Sequence, residues 1–214
     1  MTLLAMFFAA GLLTLSTVVA ADDGVGPCDR AALASKVAEQ RRDAALGLGD
    51  CGTVADEAAL LRALHDGEES VRTAAEQALW RVWSRTGDAS IDGLYRQAMT
   101  HWMEGARPRA IATFTTIIER RPDFAEAWNR RGTLYILAGR YKDALADLDE
   151  ALRLNPNHFG VLEGYGDLYI RMARPERALD YFQRAYEINP NLTGVQRTID
   201  ELGKVVRGIR ERGI

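Results

Sequence analysis

Three histidines, two cysteines and a glycine cluster are the residues of this 214-residue sequence whose types could carry chemistry. His65 reads as a helix end, His101 as a helix-face residue in a slot that suits an aromatic, and His158 as part of a turn. None has a second imidazole or thiol at i, i+4, so the spacing that builds a zinc site on a helix is missing and no metal is expected. Cys28 and Cys51 do not form a Cys-x-x-Cys pair, which argues against redox or metal chemistry. The stretch Gly47-Leu48-Gly49-Asp50-Cys51-Gly52 could cradle a phosphate only between a strand and a helix. No strand precedes it, so it reads as a turn. No Gly-x-Ser-x-Gly elbow occurs, and Asp143, Asp147 and Glu150 read as a solvated helix face. The expectation is a protein without catalysis and without a cofactor.

What would position side chains here is helical. From Trp128 to Pro156, Trp128, Gly132 and Tyr135 share one helical face, Gly139 marks a turn, and Ala144, Leu148 and Ala151 share the face of a second helix that stops at Pro156. Small residues at 132, 144 and 151 allow close approach, and Trp128, Tyr135 and Leu148 fill the space around them. The pattern returns one period later, with Gly166, Tyr169, Ala178, Phe182, Ala185, Asn189 and Pro190 in the same slots. One period earlier the slots hold Ala98, His101, Ala110, Phe114, Ile117, Arg121 and Pro122. Three units therefore lie in register, 91–124, 125–158 and 159–192, the first diverging at His101 and Ile117.

Period and residue types together resemble the tetratricopeptide repeat (TPR), a helical hairpin repeating every ~34 residues. The resemblance implies an all-α, right-handed helical-hairpin solenoid. Pro108 and Pro175 fall in the first turn of second helices, where a missing N–H costs nothing. Residues 193–214 carry Val195, Ile199, Leu202, Val206 and Ile209 at spacings of three and four, which suits a helix capping the open end of such an array. Its other face, with Arg197, Lys204, Arg207 and Arg210, reads as solvated.

The first ninety residues differ. Residues 1–20 are uncharged and mainly apolar and end at Ala20-Ala21, which reads as an export signal, or as an anchor if uncleaved, although no basic residue precedes Arg30. Export places Cys28 and Cys51 in an oxidising compartment, periplasmic or extracellular, where a bridge worth about 3 kcal/mol is expected. Between 56 and 83, Asp66, Val71-Arg72, Ala74-Ala75 and Ala78-Leu79 resemble a HEAT repeat, which implies that Asp66 and Arg72 bridge a turn. A fainter copy, Arg41, Ala44 and Leu48, precedes it. Residues 84–88 are too short to be a free linker, so the segment 22–90 and the repeats are expected to stack as one continuous array.

Charge excludes one class of partner. Net charge is −5 over 22–90, zero over 91–192 and +2 over 193–214, so no basic stripe suits a nucleic acid. A protein or peptide partner remains. In the TPR family, positions 2, 5, 6, 9, 12 and 13 of each first helix face the concave groove. Carried onto this sequence, the resemblance implies contacts from Tyr95, Arg96, Met99, Trp102 and Met103 in the first unit, Asn129, Arg130 and Thr133 in the second, and Asp167 and Arg171 in the third. The alternative is that part of this patch packs against Trp80 and Trp83. A carboxylate clamp of the chaperone-binding type is absent, since its slots hold Tyr95, Met99, Arg130, Gly160 and Gly164. The function expected is an interaction module or adaptor of the cell envelope, or else a membrane-anchored assembly subunit if residues 1–20 are retained.

Overall fold

The structure, a computed structural model, describes residues 28–212; the expected leader at 1–20 lies outside them. Every regular element among the described residues is helical. Short 3-10 turns at Arg30–Ala34 and Val54–Asp56 flank α1 (Ala38–Cys51), followed by α2 (Glu57–Ala63) and α3 (Glu69–Trp83). Three hairpins come next: α4 (Ala89–Met103) with α5 (Arg107–Arg120), α6 (Ala125–Leu137) with α7 (Tyr141–Leu154), and α8 (Phe159–Arg171) with α9 (Pro175–Ile188). The last helix, α10 (Thr193–Arg212), packs on α9. None of the described helices is long and apolar enough to cross a membrane.

Local chemistry sets the hairpins. The Asp88 carboxylate accepts hydrogen bonds from the Ser90 and Ile91 amides and so starts α4. Pro108 and Pro175 lie in the first turns of α5 and α9. Between paired helices the chain turns through positive φ at Gly105 (76°), Gly139 (72°) and, in the same slot of the third unit, Ala173 (54°). A Cβ at that conformation costs about 1–2 kcal/mol, so the third turn is the strained one. Close approach within each hairpin depends on small residues, as at Gly166, where an added Cβ would stand 2.5 Å from Phe182 Cζ. Phe114, Leu148 and Phe182 fill equivalent core slots of the three units and all are buried.

Asp147 departs from the solvated face expected of it. It is buried and holds the Arg131 guanidinium through two bonds of 2.8 Å. Arg131 reaches it from the facing helix, so a carboxylate that looks outward on a single helix lies inside the hairpin. Asp143 is exposed, and Glu150 is partly so.

At the N-terminal end, α1 and α2 pack on α3, and a disulfide joins Cys28 to Cys51 with Cα atoms 6.0 Å apart. Arg72 does bridge the α2–α3 turn, but through the Asp66 and Gly67 carbonyls at 3.0 and 3.1 Å. The Asp66 carboxylate instead takes Arg41, the arginine of the fainter copy, at 2.7 and 2.8 Å. Arg85 donates to the Gly49 and Gly52 carbonyls at 2.7 and 2.6 Å, closing the end of α1.

The expected end-to-end stacking on the first hairpin is not what occurs. The apolar core of α1–α3 is completed by Phe159, Leu162 and Ala185 of the third hairpin. Polar ties follow the same route: Arg72 to Asn191 Oδ1 (2.7 Å), Asn191 to the Leu64 carbonyl (3.0 Å), and Asn155 to Glu57 (2.7 Å). The reason is that α3 is apolar on more than one side. One face is covered by α1 and α2, while Trp80 and Trp83 seek a second surface and find it on α8. Gly160 makes room, since a Cβ there would sit 2.3 Å from Trp80 Cη2.

Candidate protein-interaction face

The first helices α4, α6 and α8 present their repeat positions side by side, so each position forms a row across the units. Position 2 gives Asp92, Glu126 and Gly160; position 5 gives Tyr95, Asn129 and Glu163; position 6 gives Arg96, Arg130 and Gly164. Further along the helices, position 9 gives Met99, Thr133 and Asp167, position 12 gives Trp102, Ile136 and Ile170, and position 13 gives Met103, Leu137 and Arg171. Helix α3 lies over much of the first set and leaves the ends of the helices open.

Under α3 is a buried polar network centred on Glu126. Its Oε1 accepts from Arg130 Nε at 2.6 Å and from Tyr95 Oη at 3.2 Å, and its Oε2 accepts from Asn129 Nδ2 at 2.8 Å and His158 Nε2 at 3.0 Å. Glu126, Asn129 and His158 are buried, and Trp83 stacks on the His158 ring at 4.0 Å. Trp80 lies 5.1 Å from the Arg130 guanidinium, which is 6.0 Å from the Trp102 ring on its other side. Burial pushes the Glu126 carboxyl up, but Arg130, then His158 and Asn129, outweigh it and hold it at about 2. Arg130 is destabilised by burial yet ends above its ordinary range because Glu126 pairs with it. Burial, then the Glu126 charge, raises the Tyr95 phenol.

Two expected contact residues therefore need correction. Tyr95 and Asn129 are buried at 7% and 2% exposure, with the Tyr95 hydroxyl and the Asn129 amide nitrogen bound to Glu126, so neither offers a surface. Arg130 is partly accessible, but its charge is committed to the same carboxylate. Trp80 of α3 covers Arg130, whereas Tyr95 packs on Phe114 and Phe124 within the core of the first hairpin. The network itself escaped the sequence reading, because His158 and Glu126 lie far apart in the chain and the turn that brings them together is tertiary. The available signal was Glu126 at an inward repeat position with Arg130 one turn on.

The open half keeps the rest. Met103 is 77% exposed, Ile170 44% and Leu137 39%, all on the last turns of α4, α8 and α6. Met99, Trp102 and Thr133 are partly exposed, and Arg96, Asp167 and Arg171 are exposed. On the floor between α3 and α8 stands Glu163, partly buried; burial first, then the charges of Asp167 and Glu76, push its carboxyl up to about 7. Among the described residues, no group of three His, Cys, Asp or Glu side chains is arranged to hold a metal ion.

A tetratricopeptide-repeat family model matches residues 123–191, the span of the second and third hairpins. That span carries tetratricopeptide repeats. Over 82 residues, 38% of its length, the chain is 37% identical to a TPR repeat-containing protein of Rhizobium etli, of which it covers 40%. Over 69 residues, 32% of its length, it is 35% identical to the SGT1 homolog of Bos taurus, of which it covers 20%. The chain thus spans less than half of either curated relative. In three dimensions it resembles the first TPR domain of Spaghetti (RPAP3), solved with the HSP90 peptide SRMEEVD, at a TM-score of 0.52 and 17% identity over 55% of this chain and 93% of that one. That likeness is one of TPR fold. The matched family segment leaves out the first hairpin, where His101 and Ile117 depart from the repeat pattern, yet α4 and α5 pair as the other two hairpins do.

Proposed function

We propose that this chain is a non-catalytic protein-interaction module of the cell envelope that receives a protein or peptide segment on the open half of its TPR inner face. The observation that carries the reading is the strip of exposed Met103, Leu137 and Ile170 with the partly exposed Trp102, beside a half already sealed by α3. Apolar side chains left uncovered in one row, next to a wall of fixed geometry, suit docking of an extended or helical segment. The thioether of Met103 adapts to varied partners. Peptide binding by the structurally similar Spaghetti domain supports the class of partner, but the clamp slots here hold Tyr95, Met99, Arg130, Gly160 and Gly164, which do not support an acidic chaperone tail as the ligand. The envelope location rests on the uncharged stretch 1–20 and on the Cys28–Cys51 bridge, which suits an oxidising compartment.

The test is in-cell crosslinking and affinity capture of the tagged full-length protein beside a Met103→Glu/Leu137→Glu variant of unchanged circular dichroism. Partners captured by the parent and lost by the variant support the reading; equal capture by both sinks it. Mass analysis of the mature N-terminus tests location, with a start near Ala21 expected for an exported soluble form and Met1 retained for an anchored one.

A further inference from the structure

The open half has a charge requirement as well as an apolar one. Glu163, on α8 where it faces α3, is partly buried, with no hydrogen bond or ion pair among the described residues. Asp167 follows it one turn later on α8, and Glu76 faces it from α3. The nearby cations are otherwise placed. Arg130 on α6 is bound to Glu126, Arg171 stands beside Asp167 at the exposed end of α8, and Arg96 is exposed on α4. The two buried carboxylates of the repeats are answered, Glu126 by Arg130 and Asp147 by Arg131, whereas the partly buried Glu163 is not. A desolvated carboxylate left without a partner is costly, and a cation supplied from outside would relieve it.

We infer that the segment received on the open half is cationic as well as apolar: a Lys or Arg side chain enters between α3 and α8 to pair with Glu163, while neighbouring apolar side chains cover Trp102, Met103 and Leu137. This rests on the docking reading above and names the chemistry of its partner. It is the reverse of recognition of an acidic peptide terminus. Because burial and the two neighbouring carboxylates push Glu163 up to about 7, pairing draws a proton off it, and binding weakens as pH falls from 8 to 6.

The experiment pans a phage-displayed library of random short peptides on the full chain at pH 8, with the Met103→Glu/Leu137→Glu variant as the counter-selection surface. Enriched sequences are expected to carry Lys or Arg among apolar residues. A synthetic peptide of the leading sequence should bind Glu163→Gln/Glu76→Gln about ten-fold or more weakly, the scale of a lost charge-assisted contact. Glutamine keeps the shape of both side chains, and circular dichroism with tryptophan fluorescence checks that α3 stays in place. Peptides that need Met103 and Leu137 but lack a basic residue, or that bind the Gln variant equally, overturn this inference and leave the docking reading standing. No enrichment over the counter-selection surface overturns both.

Discussion

Two halves of one inner face, built from the same three helices, have opposite characters. At positions 2, 5 and 6 the central unit carries Glu126, Asn129 and Arg130, a network roofed by Trp80 and Trp83. At positions 12 and 13 the helices end in Met103, Leu137 and Ile170, apolar and uncovered. The repeat assigns each residue a place, but a helix from outside the repeat decides whether that place is core or surface. In the sealed half the Glu126 carboxylate is satisfied by its four donors and contributes to stability, while Asn129 Oδ1 and His158 Nδ1 stay buried without a partner; in the open half apolar groups contribute little to the isolated chain and are available to a partner.

The largest expected effect breaks the sealed half at its centre. Glu126→Ala leaves Arg130, Tyr95, Asn129 and His158 without their common acceptor, and a loss of about 3–5 kcal/mol is expected in urea or thermal unfolding. Met103→Ala, in the open half, should stay within about 0.5 kcal/mol of the parent. A similar cost for both would erase the distinction between the halves.

A smaller effect tests whether α3 is what seals it. Gly160→Ala places a methyl against Trp80 and should cost about 1–3 kcal/mol. In the Trp80→Ala background that cost should vanish, so a double-mutant cycle reads the contact directly. Additive losses would mean that α3 does not rest on Gly160.

The smallest is a pH effect with a defined sign. The Glu163 carboxyl is raised from 4.5 to about 7, so folding disfavours its charged form. The penalty is absent below pH 4.5, grows between 4.5 and 7, and is complete above 7. Glu163→Gln should therefore raise stability by about 1–2 kcal/mol at pH 8, allowing for partial solvent screening, and leave it unchanged at pH 4. Glu126 behaves oppositely: lowered from 4.5 to about 2, it contributes fully above 4.5, and that contribution is lost as pH falls toward 2. Thermal unfolding from pH 3 to 8 on the parent and both variants separates the two.

Much of this was legible in the residues. Gly132, Ala144, Leu148 and Ala151, with their counterparts one repeat on, announce a helical hairpin because helix spacing and side-chain size alone decide whether two helices can close on each other. Gly105 and Gly139 mark turns that need positive φ for the same local reason. Cys28 and Cys51 were legible as a pair, there being no others in the sequence.

The site was legible only by row. Repeat register placed Tyr95, Asn129, Trp102 and Met103 on one face, but Tyr95 and Asn129 are buried while Met103 is largely exposed. Asp147 shows the same limit, since its partner Arg131 sits on the preceding helix. Periodicity and composition by themselves determined the helices, the hairpins and the inward-facing rows, because those follow from backbone geometry within a few turns. Where α3 comes to rest, and with it the burial of Glu126 and His158 and the openness of Met103, was decided only in the tertiary structure. It depends on Trp80 finding the gap at Gly160, far along the chain, where any side chain with a Cβ would stand 2.3 Å from the indole.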